Sequence, residues 1–134
     1  MTDKIYVTGA PGNVGTPLVK KLMEIGVDFV VGAYSVDMAR QQFGNTTEIV
    51  KFDFLDPTTF NFEGCSRLFL VRPPALADVK NDIAPALEAA KSAGVAHIVF
   101  LSIQGVENNR VVPHHKIEQY ISDMGIDYTF LRAS

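Results

Sequence analysis

The chain has 134 residues, a length that fits one domain able to bury a substantial core. Its net charge of -3 excludes a general attraction to nucleic acid or anionic membranes, and charged or polar residues interrupt every apolar run before it reaches membrane-spanning length. With one cysteine, Cys65, and a strand-like segment that begins at Lys4 and leaves no room for a signal peptide, the chain is expected to be soluble and cytoplasmic.

The first half of the chain alternates apolar, β-branched runs with amphipathic helical patterns. Ser35 is a plausible N-cap, and Gly26 and Gly44 stand where helices end. Pro17 is tolerated because, in the first turn of a helix, its missing N–H costs nothing. The predicted elements are strand Lys4–Thr8, helix Val14–Ile25, strand Asp28–Tyr34, helix Val36–Phe43 and strand Glu48–Phe52.

The second half continues the alternation after a helical turn that opens at Asp56-Pro57. Pro85 is expected to kink the longest helix, because its ring removes a backbone hydrogen bond. The predicted elements are strand Arg67–Val71, helix Asp78–Ala93, strand His97–Ser102, helix His114–Met124 and strand Tyr128–Leu131.

The strands read as mostly continuous apolar runs, which is typical of strands buried on both faces of a parallel sheet. Strict alternation of strands and helices with right-handed crossovers then predicts a doubly wound α/β fold. We expect a mostly parallel sheet of about six strands in the order 3-2-1-4-5-6, formed by one domain over residues 1–134.

Three glycines separate the first strand from the first helix. Gly9 allows a sharp turn, Gly12 lets a phosphate approach the backbone, and Gly15 lets the helix pack on the strand. The helix N-terminus adds free N–H groups and a partial positive charge. An ordinary turn with three chance glycines is the alternative, but the flanking strand favours binding of an NAD(P) pyrophosphate. The predicted contacts are Gly9, Ala10, Pro11, Gly12, Asn13, Val14 and Gly15.

The Thr-Gly-Ala-x-Gly-x-x-Gly spacing that begins at Thr8 resembles the extended and atypical short-chain dehydrogenase/reductases, which have a Rossmann fold. Segments 52–56 and 89–99 resemble the same group. Segments 114–118 and 125–132 resemble its NmrA-like branch, which includes NAD(P)H-dependent quinone reductases, aromatic-substrate reductases and non-catalytic redox-sensing regulators. The resemblance implies a C-terminal substrate lobe that is absent from this chain. Apolar surface left at the sixth strand would then favour self-association.

The residues after the second strand decide between NAD and NADP, because a carboxylate there grips the ribose and an Arg favours the 2′-phosphate. Tyr34 and Ser35 stand where many NmrA-like proteins carry Arg and a small polar residue. Arg40 can swing back to a 2′-phosphate, with a solvated helix charge as the alternative. The missing carboxylate favours NADP(H) over NAD(H).

The resemblance also implies cofactor contacts at the ends of the later strands. Asp53 and Phe54 correspond to adenine contacts, with loop closure by the aspartate and core packing by the phenylalanine as alternatives. Val71, Arg72 and Pro73 would border the nicotinamide ribose, although Arg72 can equally be an exposed loop charge.

No tyrosine in the chain has a lysine four residues on, so the Tyr-x-x-x-Lys pair of typical short-chain dehydrogenases is missing. Ser102 stands where that family has its active-site serine, and it is a candidate for catalysis or cofactor binding. His114 is a candidate proton donor, and Lys116 a candidate for orienting the ribose. A polar helix start after Pro113 is the alternative. The adjacent histidines point apart, which argues against a metal site.

These features predict a NAD(P)H-binding domain of a reductase that acts on a quinone-like or other small electron-poor substrate. Hydride transfer to a quinone needs little from the protein besides binding and water exclusion. A non-catalytic dinucleotide-sensing regulator is the alternative, because the Tyr-x-x-x-Lys pair is missing. A nucleotide-sugar epimerase is a weaker alternative, since that chemistry normally needs the missing tyrosine. Whether the chain is catalytic stays open at this point.

Overall fold

The computed structural model describes residues 4–9, 15–103, 105 and 112–133. The predicted order of strands and helices is confirmed, with boundaries within a few residues of those expected. The elements are β1 Lys4–Val7, α1 Gly15–Ile25, β2 Phe29–Ala33, α2 Val36–Phe43, β3 Ile49–Lys51, β4 Cys65–Leu70, α3 Ala84–Ser92, β5 His97–Ile103, α4 Pro113–Asp123 and β6 Asp127–Ala133.

The strands form one parallel sheet in the order β3-β2-β1-β4-β5-β6, as predicted. β1 lies in the middle, with Ile5 opposite Phe29 of β2 on one side and Arg67 of β4 on the other. The chain winds outward from β1 to β3 and then returns to β4. The carboxyl ends of β1 and β4 therefore flank the switch point, where ligands bind in sheets of this kind.

Helices cover the sheet in two layers, each with its own core. Tyr6 anchors the layer that contains α3 and α4, and its ring centroid lies 4.7 Å from that of Phe62. Val7, the next residue of β1, points into the layer that contains α1 and α2. Alternate residues of the continuous apolar strands thus pack into the cores on opposite faces of the sheet.

The predicted helix Asp78–Ala93 is divided in the structure. Val79–Ile83 forms one π-helical turn, and α3 begins only at Ala84. Asp78 caps the π turn by accepting hydrogen bonds from the backbone and side-chain nitrogens of Asn81 at 3.2 and 2.8 Å. Pro85 falls in the first turn of α3, where its missing N–H costs nothing. The proline therefore lies directly after the junction of the π turn and α3, and a kink at this point stays a prediction.

β6 lies at the sheet edge and pairs with β5 over seven residues, from His97–Asp127 to Ile103–Ala133. Leu131 and Ile103 are exposed on the α1 side of the sheet, and Tyr128 is exposed as well. An apolar groove of about 230 Å³ runs between α1 and this edge. None of the helices in the described ranges combines the length and apolar composition needed to cross a bilayer.

Candidate functional site

Thr8 joins the carboxyl ends of β1 and β4 at the switch point. Its backbone N–H and its hydroxyl both donate to the carbonyl of Phe69, at 3.0 and 2.9 Å. The same hydroxyl accepts a hydrogen bond from the backbone N–H of Val71 at 2.9 Å. The sequence analysis did not assign this role to Thr8. The available signal was a threonine directly before a glycine-rich loop, and the structure shows that this threonine is buried.

Gly9 continues the chain over the end of β4 in a conformation that only glycine adopts readily. Its φ is +80°, and a Cβ atom there would lie 2.6 Å from Cβ of Val71. Glycine is therefore required at this turn, the cradle, where the chain passes Val71 at the switch point of the sheet. Gly15, the first residue of α1, is buried. The predicted contacts of Ala10, Pro11, Gly12, Asn13 and Val14 lie outside the described residues and stay predictions.

α1 begins at Gly15, shortly after this turn in the sequence, and has no acidic residue in its first turn. The partial positive charge of a helix N-terminus suits an anion. A glycine turn at the switch point, followed by a helix N-terminus, is the arrangement that binds the pyrophosphate of a dinucleotide in doubly wound folds.

The end of β2 presents Tyr34 and Ser35. The Ser35 hydroxyl caps α2 by accepting from the backbone N–H of Met38 at 3.2 Å, whereas the Tyr34 side chain is 72% exposed. Lys51, the last residue of β3, donates to the carbonyl of Tyr34, and its ammonium lies 4.1 Å from the centroid of the Tyr34 ring. Arg40, the predicted cation, belongs to the last turn of α2. The sequence analysis missed Lys51, because this residue belongs to a different strand.

Asp53 and Phe54 follow β3, and both take the alternative that the sequence left open. One carboxylate oxygen of Asp53 accepts from the backbone N–H of Leu55 at 2.9 Å, and the Asp53 N–H donates to the Thr59 hydroxyl at 3.0 Å. Phe54 is buried, with its ring centroid 4.7 Å from that of Phe52. The aspartate closes a loop and the phenylalanine packs in the core, and a contact of either residue with adenine stays a prediction.

Arg72 is tied to its own loop. Its Nη1 donates to the carbonyls of Pro73, Pro74 and Leu76 at 3.3, 3.1 and 2.8 Å. The guanidinium thereby holds the loop after β4 in shape, and one of its nitrogens is committed to three backbone acceptors. This arrangement gives the guanidinium a structural role, and the contact of Arg72 with phosphate or substrate stays a prediction.

His114 lies at the start of α4, with its ring stacked on Phe100 of β5 at a centroid distance of 5.7 Å. Burial, and secondly the positive charge of Arg72, hold the pKa of His114 below its ordinary value. The ring is therefore mostly neutral at pH 7. Lys116 is exposed and stands two residues further on, which turns it to a different side of the helix.

Ser102 lies two residues beyond Phe100 on the same face of β5, and only 1% of it is exposed. Its hydroxyl is close enough to Glu118 to lower the pKa of that carboxylate, but it forms no hydrogen bond of standard geometry within the described ranges. His114 thus packs on β5 at Phe100, and Ser102 lies two residues further along that strand, beneath the surface.

Glu118 forms an ion pair with Arg132 that sequence reasoning missed. Arg132 donates from Nη2 and Nε to the two carboxylate oxygens at 2.7 and 3.1 Å, which links α4 to the edge strand β6. Burial by itself raises the pKa of Glu118, but the hydrogen bonds and charge of Arg132, together with Ser102, bring it below its ordinary value. The available signal for this ion pair was a glutamate next to Ile117, on the side of α4 that is buried.

Comparison with known proteins indicates the family to which the chain belongs. The profile of a family described as NAD(P)H-binding matches residues 9–134. Prestalk A differentiation protein A of Dictyostelium discoideum is 35% identical over 133 residues, which cover 96% of this chain and 43% of that protein. An uncharacterized chloroplastic protein of Arabidopsis thaliana is 27% identical over 169 residues, with 96% and 52% covered. The chain spans about half the length of the curated relatives it matches.

Two solved structures have the same fold. The NADPH-dependent quinone oxidoreductase of Escherichia coli, complexed with NADPH, has a TM-score of 0.85 at 24% identity, covering 96% of this chain and 48% of that one. The triphenylmethane reductase of Citrobacter sp., complexed with NADP(H), has a TM-score of 0.83 at 27% identity with the same coverage.

Proposed function

This chain belongs to the NAD(P)H-binding family, and we propose that it is the cofactor half of an NAD(P)H-dependent reductase in the NmrA-like branch. The proposed substrate is a quinone-like or other small electron-poor molecule. The observation that carries the proposal is the glycine turn at Gly9, which lies at the switch point of the sheet and is followed along the chain by the N-terminus of α1. The proposed location is the cytoplasm.

A bound nicotinamide cofactor supplies the hydride in such a reaction. The residues of this chain then have to bind the dinucleotide, orient it and keep water away. Gly9 and the N-terminus of α1 would hold the pyrophosphate, and Thr8 keeps that cradle closed by joining β1 to β4. We place the substrate lobe in the part of the relatives that this chain does not cover.

His114 is the proposed polar contact to the substrate, because it is half-buried at the carboxyl edge of β5. Its lowered pKa keeps the imidazole neutral near pH 7, so it would act as a hydrogen-bond donor rather than as a strong acid. Lys116 is exposed and is the proposed ribose contact only if the cofactor extends to that side of α4. Ser102 would act through its neighbours, since its hydroxyl is buried.

A non-catalytic regulator that senses the dinucleotide is the second candidate. The observation that favours it is the burial of Ser102 beside Glu118 in a chain without a Tyr-x-x-x-Lys pair. Such a protein would bind the cofactor with the same cradle and signal through a partner or through self-association at β6. An epimerase is less favoured, because the sequence has no Tyr-x-x-x-Lys pair for proton transfer.

Two measurements separate these candidates. Calorimetric titration with NAD, NADH, NADP and NADPH tests binding, and steady-state oxidation of NADPH with a panel of quinones tests turnover. The reductase predicts both binding and turnover in the whole protein that contains this chain. Tight binding without turnover would favour the regulator, and absence of binding to all four nucleotides would refute both.

A further inference from the structure

The register of β2 and β3 brings a lysine to the point where the adenosine ribose of a dinucleotide is recognised. Ala33 and Lys51 are opposite each other and end their strands. From there the Lys51 ammonium donates to the carbonyl of Tyr34 and stacks on its ring, 4.1 Å from the centroid. Because Tyr34 is largely exposed, the charge is held in place at the carboxyl edge of the sheet while remaining open to solvent.

The charge of Lys51 is not neutralised by an ion pair within the described residues. Lys4, by contrast, contacts Glu48 at 2.5 Å near the other end of the sheet. The nearby Asp56 carboxylate already accepts from the backbone N–H and hydroxyl of Thr58 at 3.0 and 2.6 Å. An ammonium has three N–H donors, and the Tyr34 carbonyl uses one of them. The remaining donors suit an anionic group.

We propose that Lys51 recognises the 2′-phosphate of NADP(H), with Tyr34 positioning its ammonium. The inference rests on the proposed dinucleotide-binding function and deepens it. In a doubly wound sheet, the residue that discriminates NAD from NADP lies near the end of β2. No carboxylate stands at that strand end, and the first one after it, Asp37, belongs to the first turn of α2. Arg40 lies in the last turn of that helix, where a cation complements the helix dipole.

Binding measurements on the purified chain test the proposal. Calorimetry with NADP, NAD, 2′,5′-ADP and 5′-AMP is carried out on the wild type, Lys51→Met and Lys51→Arg. The methionine variant keeps the packing of the side-chain stem but removes the charge. Arg40→Met tests the competing cation, and Lys20→Met, on the exposed surface of α1, is the control for loss of one charge.

The wild type should bind 2′,5′-ADP and NADP more tightly than 5′-AMP and NAD. Lys51→Met should weaken binding of NADP and 2′,5′-ADP, the two ligands with a 2′-phosphate, about tenfold or more, the effect of losing one charge-assisted hydrogen bond. Binding of NAD and 5′-AMP should stay within about threefold of the wild type. Lys51→Arg should largely restore the affinity. The preference for NADP should also decrease with salt in the wild type, because an exposed charge is screened.

Three results would overturn the role of Lys51 while leaving dinucleotide binding intact. One is equal affinity of the wild type for NAD and NADP. The second is an equal loss for all four ligands in Lys51→Met, and the third is a selective loss in Arg40→Met instead. If none of the four ligands binds, both the proposed function and this inference are refuted.

Discussion

Removal of the Glu118 carboxylate tests whether the ion pair to Arg132 fastens the edge strand to the domain. Glu118 is 7% exposed, and both of its carboxylate oxygens accept from Arg132. Loss of one partner of a buried pair costs about 3–5 kcal/mol, because the other charge is left without compensation. The Arg132 side chain is 40% exposed and can regain water, so we expect Glu118→Gln to cost about 2 kcal/mol.

Urea denaturation followed by circular dichroism measures this loss, and a double-mutant cycle with Arg132→Met isolates the coupling. The exposed pair Lys21–Glu24, with a 3.7 Å separation, is the matched control and should couple by no more than about 0.5 kcal/mol. For a domain of this size, about 2 kcal/mol corresponds to a decrease in Tm of roughly 6–8 °C. A coupling as small as that of the control pair would refute the reasoning.

The same pair has a pH dependence whose sign follows from the lowered pKa of Glu118. The native state holds the carboxylate ionised to lower pH than the unfolded chain does. The stabilisation is therefore complete above the unfolded value of about 4.3 and is lost as pH falls through the native pKa. The difference between the wild type and Glu118→Gln should shrink accordingly in acid. A difference that stays constant down to strongly acidic pH would contradict the assignment.

Three further predictions concern Gly9, Tyr6 and His114. Gly9→Ala should cost about 2 kcal/mol more than Gly26→Ala in urea denaturation, because both positions have positive φ but only Gly9 meets a side chain, at 2.6 Å from Val71. Tyr6→Phe should leave stability unchanged or raise it by up to about 1 kcal/mol, since the buried hydroxyl has no partner within the described ranges; a clear loss would reveal one. His114 should titrate by NMR below its ordinary value of about 6.5, and Arg72→Met should raise that midpoint. As the pH falls, His114 is protonated in the unfolded chain at a higher pH than in the native state. Its contribution to stability should therefore fall as the pH drops from the unfolded pKa to the lower native pKa.

Much of the fold could be predicted because it is encoded in local patterns. Apolar β-branched runs specify the strands, and the Ser35 hydroxyl on the backbone N–H of Met38 confirms a cap that the sequence had indicated. The glycine required at Gly9 was also predictable, since its positive φ is a local property of the turn. In each case, neighbours along the chain are enough to decide the conformation.

The contacts that define the candidate site depend on residues far apart in the sequence. Lys51 meets Tyr34 across 17 residues and Arg132 meets Glu118 across 14, and each contact requires the register of two elements to be set first. Phe54 could be placed in the core only once the surrounding rings were in position. The sequence by itself thus determined the fold and the cradle at Gly9. Tertiary structure decided which charges meet, because strand register and helix packing, rather than local propensity, bring those side chains together.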